Sequence, residues 1–359
     1  MAMTTAVQMG ELLKQMVQRG ASDLHLGVHY PPTLRIDGSL VSLEYAPLTD
    51  EAISDLLRQI LPKERMDQFI KQQEHDMAFG IEGLGRFRVN CFFQRGKMGA
   101  AIRLIPEKIR SFEELGLPVD VMDYFCNRPK GLVLITGATG SGKSTTLASM
   151  VDRINQAHPC HIITIEDPIE YIHQNKKAIV DQREVGGDTR SFTEALRHIL
   201  RQDPNVILVG EMRDWETMDI ALTAAETGHL VLATLHTSDS TQSVNRIIDV
   251  FPAHQQQQVR VQLSMVLQGV LAQQLIPRCD GPGRALALEV LVTTHAVRSL
   301  IRDSKVHQLY SVIQTGQKEG MKTMNQSLYE LYKKKMISLE EALGRTMEVE
   351  DLKRMITGK

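Results

Sequence analysis

The sequence predicts a two-domain α/β protein, a small α+β domain followed by a larger domain built on a mostly parallel sheet. Beyond residue 119, short apolar runs at 132–135, 161–165, 206–209 and 230–235 alternate with helical segments, the rhythm of parallel strands joined by helical crossovers. Before residue 105, amphipathic helical stretches mix with alternating strand-like pieces. A chain of 359 residues is also too long for one ordinary core.

Residues 9–19 place Leu12, Leu13, Met16 and Val17 on one helical face and stop at Gly20. Ser22-Asp23-Leu24-His25-Leu26 alternates as a strand does, Tyr30-Pro31-Pro32 interrupts, and Leu34-Arg35-Ile36 runs into Asp37-Gly38, a tight hairpin signal. Residues 50–73 read as helix. Arg86-Phe87-Arg88-Val89-Asn90 and Ala101-Ile102-Arg103-Leu104-Ile105 read as strands. Together, residues 1–105 form the first expected domain, 106–118 a Pro- and Gly-flanked linker with a short helical stretch inside, and 119–359 the second domain. From about residue 253 onward the chain reads mainly as helix, with Gln255-Gln256-Gln257-Gln258 continuing one.

Composition narrows the function classes. The chain is 42% hydrophobic and 23% charged, with no run near the roughly 18 apolar residues of a membrane span. Its N-terminus lacks the basic-then-apolar layout of a signal peptide, so a cytoplasmic protein is expected. A net charge of −2 and 5% aromatic residues supply neither the basic field nor the stacking platforms of a nucleic-acid motor. Cys91, Cys126, Cys160 and Cys279 lie far apart, which argues against a disulfide framework or a zinc site.

The chemistry concentrates after the run Leu132-Val133-Leu134-Ile135. Gly137-Ala138-Thr139-Gly140-Ser141-Gly142-Lys143-Ser144 has P-loop spacing between a strand and a helix, the arrangement that cradles a nucleotide triphosphate. Its glycines let successive backbone N–H groups point inward, Lys143 supplies charge to the β/γ oxygens, and Ser144 can ligate Mg²⁺. Thr139, Gly140, Ser141, Gly142, Lys143, Ser144 and Thr145 are thus the candidate nucleotide-binding residues. Asn205-Val206-Ile207-Leu208-Val209-Gly210-Glu211 is an apolar strand ending in an acid. Glu211 is the candidate carboxylate that orients the attacking water, or holds Mg²⁺ through a water. Glu166, Asp167 and Glu170 follow another apolar strand and should reach the same crevice, with Glu166 the stronger functional candidate and Asp167 open between a role there and capping the next helix. His229 and His236 flank the run 230–235, where a histidine can bond a terminal phosphate and report its loss. Positive charge for the phosphoryl group has candidates in Arg86, Arg88, Arg103, Arg190, Arg197, Arg201 and Arg278, among which spacing alone does not choose.

Residues 137–144, the box Ile163-Thr164-Ile165-Glu166-Asp167-Pro168-Ile169-Glu170, the segment through Glu211, and Thr227-Gly228-His229-Leu230 with Thr234-Leu235-His236-Thr237 together resemble the secretion ATPase superfamily, in that order and spacing. Within it the chain is similar to the type IV pilus retraction ATPases, through Ser22-Asp23-Leu24-His25, Gly85-Arg86-Phe87-Arg88-Val89-Asn90 and Ala296-Val297-Arg298-Ser299-Leu300-Ile301-Arg302. The tetracysteine module and longer N-terminal region of the assembly ATPases are missing from this sequence.

That resemblance implies a PAS-like N-terminal domain, a RecA-like P-loop ATPase domain with a helical C-terminal part, and a homohexamer hydrolysing ATP with Mg²⁺ between neighbouring domains. It carries over Arg88 and Arg103 as arginines reaching the nucleotide from the N-terminal domain, with Arg278 a weaker candidate, and Glu211, Glu166 and His229 as catalytic residues. It also implies pilus machinery as the partner, with an inner-membrane platform protein and a paralogous retraction ATPase. The motor then sits at the cytoplasmic face of the inner membrane through peripheral contact only, without nucleic acid. An accessory retraction ATPase is the alternative role within the same resemblance.

Overall fold

The computed structural model describes residues 7–36, 38–105 and 108–358. It divides into two compact units, Met1–Lys108 and Ile109–Lys359. In the first, β1 (Asp23–Leu26), β2 (Thr33–Ile36), β3 (Ser39–Ser42), β4 (Glu74–Ile81), β5 (Gly85–Gln94) and β6 (Lys97–Ile105) form an antiparallel sheet in the order β3-β2-β1-β6-β5-β4. Alternation decides which face is buried. Phe87, Val89 and Cys91 of β5 enter a core with Leu12, Leu13 and Met16 of the helix Met9–Gln18, while Arg86, Arg88 and Asn90 take the opposite face.

The hairpin expected at Asp37-Gly38 joins β2 to β3, pairing Ile36 with Ser39; Asp37 itself lies outside the described residues. The single helix read over 50–73 is instead two, Asp50–Arg58 and Lys63–Gln72. Pro62 occupies the N-cap of the second, where its missing N–H costs nothing, and it could not have continued the first.

The second unit holds β7 (Gly131–Thr136), β8 (His161–Glu166), β9 (Ile179–Glu184), β10 (Val206–Val209), β11 (Leu230–Leu235), β12 (Leu267–Pro277) and β13 (Arg284–Val292). Their order is β13-β12-β7-β11-β10-β8-β9, parallel throughout except for β13. Helices cover both faces, so β7, β10 and β11 are buried at every position and show no alternation.

Two features of this unit differ from the sequence reading. Of the stretch 106–118, residues 106–107 lie outside the described residues, and much of the rest belongs to the second unit. Phe112–Leu115 is a short helix with a Ser111/Glu114 capping box, and Phe112 and Leu117 are buried in the core around β7. The region after 253 is also not mainly helical through 292, because β12 and β13 form a long hairpin there. The helix Gln256–Val266 runs into β12 without a breaker, at a Leu267 that simply turns extended (φ −62°, ψ 126°). With both faces of β12 covered, its apolar run has no period to separate strand from helix.

Gly269 lets that helix-to-strand passage pack. A Cβ there would fall on the Phe125 ring and within 2.6 Å of the Leu291 carbonyl, backbone that cannot move aside. Gly269→Ala is therefore expected to destabilise the second unit by about 1–3 kcal/mol, read as a lower denaturation midpoint with an unchanged first-unit transition.

Candidate nucleotide site

Parallel pairing puts the carboxyl ends of β7, β8, β10 and β11 along one sheet edge, the place where open α/β sheets bind ligands. The loop after β7 passes into the helix Lys143–Ala157 through Gly142, in left-handed conformation (φ 93°). Gly137 has φ 139°, and a Cβ on it would strike the Gln273 carbonyl of β12 and lie 2.6 Å from Ser141 Oγ. Only glycine fits a loop wound that tightly. Ser141 Oγ is buried and finds no hydrogen-bond partner among the described residues. Lys143 Nζ folds back to donate to the carbonyls of Gly137 (2.7 Å) and Ala138 (3.1 Å). Burial holds its ammonium below the usual lysine range, against the pull of the Glu211 and Glu170 charges. An orphaned hydroxyl, a lysine resting on loop carbonyls and a helix N-terminus are the donor set of an anion cradle, and phosphate oxygens fit it.

Neighbouring elements hold this loop. Gln273 Nε2 donates to Thr146 Oγ1 at 2.9 Å, both groups being buried. Arg284 of β13 donates to the Gly140 carbonyl at 3.4 Å. Thr145 Oγ1 and the Tyr171 hydroxyl lie 2.9 Å apart. Gln182, which faces Thr164 across β8 and β9, donates to both the Tyr171 carbonyl (2.8 Å) and Glu166 Oε1 (3.1 Å). The sequence reading had none of Gln182, Tyr171, Gln273 or Arg284, since each acts through tertiary register rather than through a local motif.

The two candidate carboxylates sit in opposite environments. Burial pushes the Glu166 carboxyl up, against bonds from Thr164 Oγ1 (2.7 Å) and Gln182. Glu211 also feels burial, but Arg213 and His236 outweigh it and hold its carboxyl below the ordinary range. Arg213 Nη2 donates to Glu211 Oε2 at 2.8 Å, and His236 Nε2 lies 3.1 Å from Oε1. Glu211 is thus favoured as the anion, while Glu166 is biased toward the neutral acid. For Mg²⁺, Ser144 at the helix start and Glu211 acting through water suit a cation that keeps several waters and leans on phosphate oxygens. No cluster of three or more His, Cys, Asp or Glu residues suited to a metal occurs among the described residues.

The histidines divide against expectation. His229 stands at the amino end of β11, where Gly131 N donates to its carbonyl, and its ring Nδ1 lies 2.9 Å from the Ala224 carbonyl. The length of β11, roughly 20 Å at 3.3 Å per residue, separates it from the carboxyl edge. Within one chain it does not join Glu166, Glu211 and Lys143. His236, at the other end of the same strand, does.

In the first unit, Arg88 and Arg103 are direct cross-strand partners of β5 and β6. Asp23 faces Arg103 from β1 and accepts from its Nε at 2.8 Å, and Arg35 faces Asp23 from β2, so one row across the sheet reads Arg35, Asp23, Arg103, Arg88. Arg278 is paired with Asp280 through two bonds of 2.8 and 2.6 Å.

Comparison with known proteins gives the family and the fold. The type IV pilus retractation ATPase PilT of Pseudomonas aeruginosa is 48% identical over 332 residues, 92% of this chain and 96% of that protein. The type IV pilus ATPase PilU of the same organism is 43% identical over 346 residues, 96% of this chain and 90% of that protein. A crystal structure of the pilus retraction motor PilT with bound ADP superimposes with a TM-score of 0.91 at 48% identity, covering 97% of this chain and 99% of that one. The family described as type II/IV secretion system protein matches residues 4–344, and the chain belongs to that family.

Proposed function

We propose that this chain is a hexameric motor ATPase that couples ATP hydrolysis to retraction of type IV pili, and so to twitching motility. The observation that carries the reading is the meeting of the P-loop, Glu211 and His236 at one sheet edge, in a chain similar over nearly its whole length to a pilus retraction ATPase. Bound Mg²⁺ would supply charge neutralisation at the β/γ oxygens, with Ser144 as the protein ligand and Glu211 reached through water. Lys143 exchanges its two loop carbonyls for phosphate oxygens. Backbone N–H groups of residues 139–145 orient the triphosphate, and Glu211 accepts a hydrogen bond from the attacking water, aligning it with the terminal phosphorus. Arg88 and Arg103 reach that phosphate from a neighbouring subunit and stabilise the charge of the transition state.

Phosphate release then frees the contacts that hold one subunit against the next, and the ring converts this into a step on an inner-membrane platform protein and the pilus machinery. None of the described helices is long and apolar enough to cross a membrane, which suits peripheral work at the cytoplasmic face. The similarity to PilU supports an accessory retraction role as the second reading.

Lys143→Ala is expected to abolish nucleotide binding or turnover. Glu211→Gln should keep nucleotide binding while kcat falls by about 10²-fold or more, measured by equilibrium titration beside a steady-state assay; turnover at the parent rate would remove Glu211 from its role. His236→Ala should lower kcat by about tenfold and His229→Ala by less; the reverse order would return His229 to the site. Arg88→Ala and Arg103→Ala should each impair turnover only in assembled rings. Mixing either with Glu211→Gln subunits should restore part of the activity, and failure of that complementation would leave both as structural arginines.

A further inference from the structure

We propose that Glu289 is a positioning residue for hydrolysis, fixing the loop that presents His236 to Glu211. This rests on the site proposed above and assigns a group that the nucleotide chemistry does not itself use. Glu289 lies in β13 with only 4% of its surface exposed, flanked along the strand by Leu288 and Val290. A carboxylic acid at such a position costs several kcal/mol unless its oxygens are bonded, so an apolar residue would be the default there.

Its bond is specific. Oε1 accepts from the backbone N–H of Ser240 at 2.8 Å, and Ser240 is fully buried. Ser240 is the first residue of the helix Ser240–Asp249, whose local cap, Asp239, already accepts from Gln242 N at 2.7 Å. Glu289 therefore adds a second acceptor from a distant part of the chain to a helix start that has its own. Burial raises the Glu289 carboxyl, and the amides of Ser240 and Met324 draw it back.

The consequence follows from how short the connection is. Between Leu235 at the end of β11 and Ser240 lie only His236, Thr237, Ser238 and Asp239. Thr237 Oγ1 and Ser243 Oγ are 2.6 Å apart, and Ser243 Oγ donates to the Asp239 carbonyl at 2.6 Å, closing the loop onto the helix. Pinning Ser240 to β13 thus fixes where His236 leaves the strand, and His236 Nε2 meets Glu211 Oε1 at 3.1 Å. The same hairpin reaches the P-loop helix from β12, where Gln273 bonds Thr146, and Glu289 pairs in register with Ala272 beside that glutamine. One hairpin therefore sets both the phosphate loop and the histidine that holds the catalytic carboxylate.

The test is steady-state ATP turnover of the assembled protein, with kcat and KM separated. Glu289→Val should lower kcat by about five- to tenfold, up to the loss expected when His236 itself is removed, with KM for ATP within about twofold. Glu289→Gln, which keeps one carbonyl acceptor, should recover most of that loss. Ser240→Pro guards against a variant that does not fold. It deletes the donor N–H, together with the Ser240 hydroxyl, at the first helical position, which proline tolerates, and the preceding Asp239 is already extended (φ −149°, ψ 171°). It should reproduce the kcat loss of Glu289→Val.

In a His236→Ala background both losses should shrink to about twofold, because the effect passes through that histidine. Parent-like kcat in Ser240→Pro, or an undiminished loss without His236, would overturn the assignment while leaving the ATPase reading intact. A parent protein that does not turn over ATP would instead remove the reading on which the assignment stands.

Discussion

Parallel strand pairing is the constraint on which the rest of the molecule depends. Because β7, β11, β10 and β8 run in the same direction in unbroken register, Thr136, Leu235, Val209 and Glu166 end at one edge. The sequence spacing between Gly137, Glu166, Glu211 and His236 has no meaning until that pairing exists. Each of these residues is the last of a strand or lies within two residues of its end, so its placement is inherited from the buried apolar runs before it. A one-residue slip of β10 against β8 would carry Glu211 a strand step away from Lys143 and turn its side chain to the other face. The interior, buried at every position of β7, β10 and β11, makes such slips expensive.

Electrostatics then differentiates groups that geometry has merely gathered. Glu166 and Glu211 both follow from apolar strands, yet one is shielded by Thr164 and Gln182 while the other meets Arg213 and His236. The first is pushed toward the neutral acid and the second kept anionic. Lys143 completes the set, lowered by burial and drawn back by Glu211 and Glu170. A phosphate group at this edge would find a cation that rests on weak carbonyl acceptors and a carboxylate that is already charged. Little rearrangement is asked of the site before chemistry, which is what a preorganised environment contributes.

The legible part of this architecture was whatever carried a local reason. The P-loop announces itself because the chain cannot wrap a phosphate without glycine at a position such as Gly137. The apolar runs at 132–135, 161–165, 206–209 and 230–235 announce strands because helical punctuation surrounds them. What escaped reading lacked such a reason. β12 follows a helix without a breaker and is covered on both faces, so its eleven residues carried no period. Pro62 was a breaker, but the helical pattern on either side overrode it. His229 and His236 were indistinguishable as flanks of one strand, since only the direction of that strand against β7 decides which of them reaches the phosphate edge. Arg213 sits two residues past Glu211 with nothing in its spacing to mark it, and Glu289 looks like an interruption of an apolar strand until Ser240 is seen against it.

The row Arg35, Asp23, Arg103, Arg88 shows the same logic in the first unit. Like charges directly opposite one another on adjacent strands oppose folding by a few tenths to about 1 kcal/mol, and here two guanidinium groups share one cross-strand pair. Asp23, mostly buried and held below the usual carboxylate range against its burial by bonds from Ser22 and Arg103, offsets part of that repulsion by binding Arg103. The Arg103 side chain remains 66% exposed, so the bond orients it without hiding it. Charge alternates along Arg35, Asp23 and Arg103, so Arg103 takes its direction from a buried acid on the neighbouring strand rather than from its own burial.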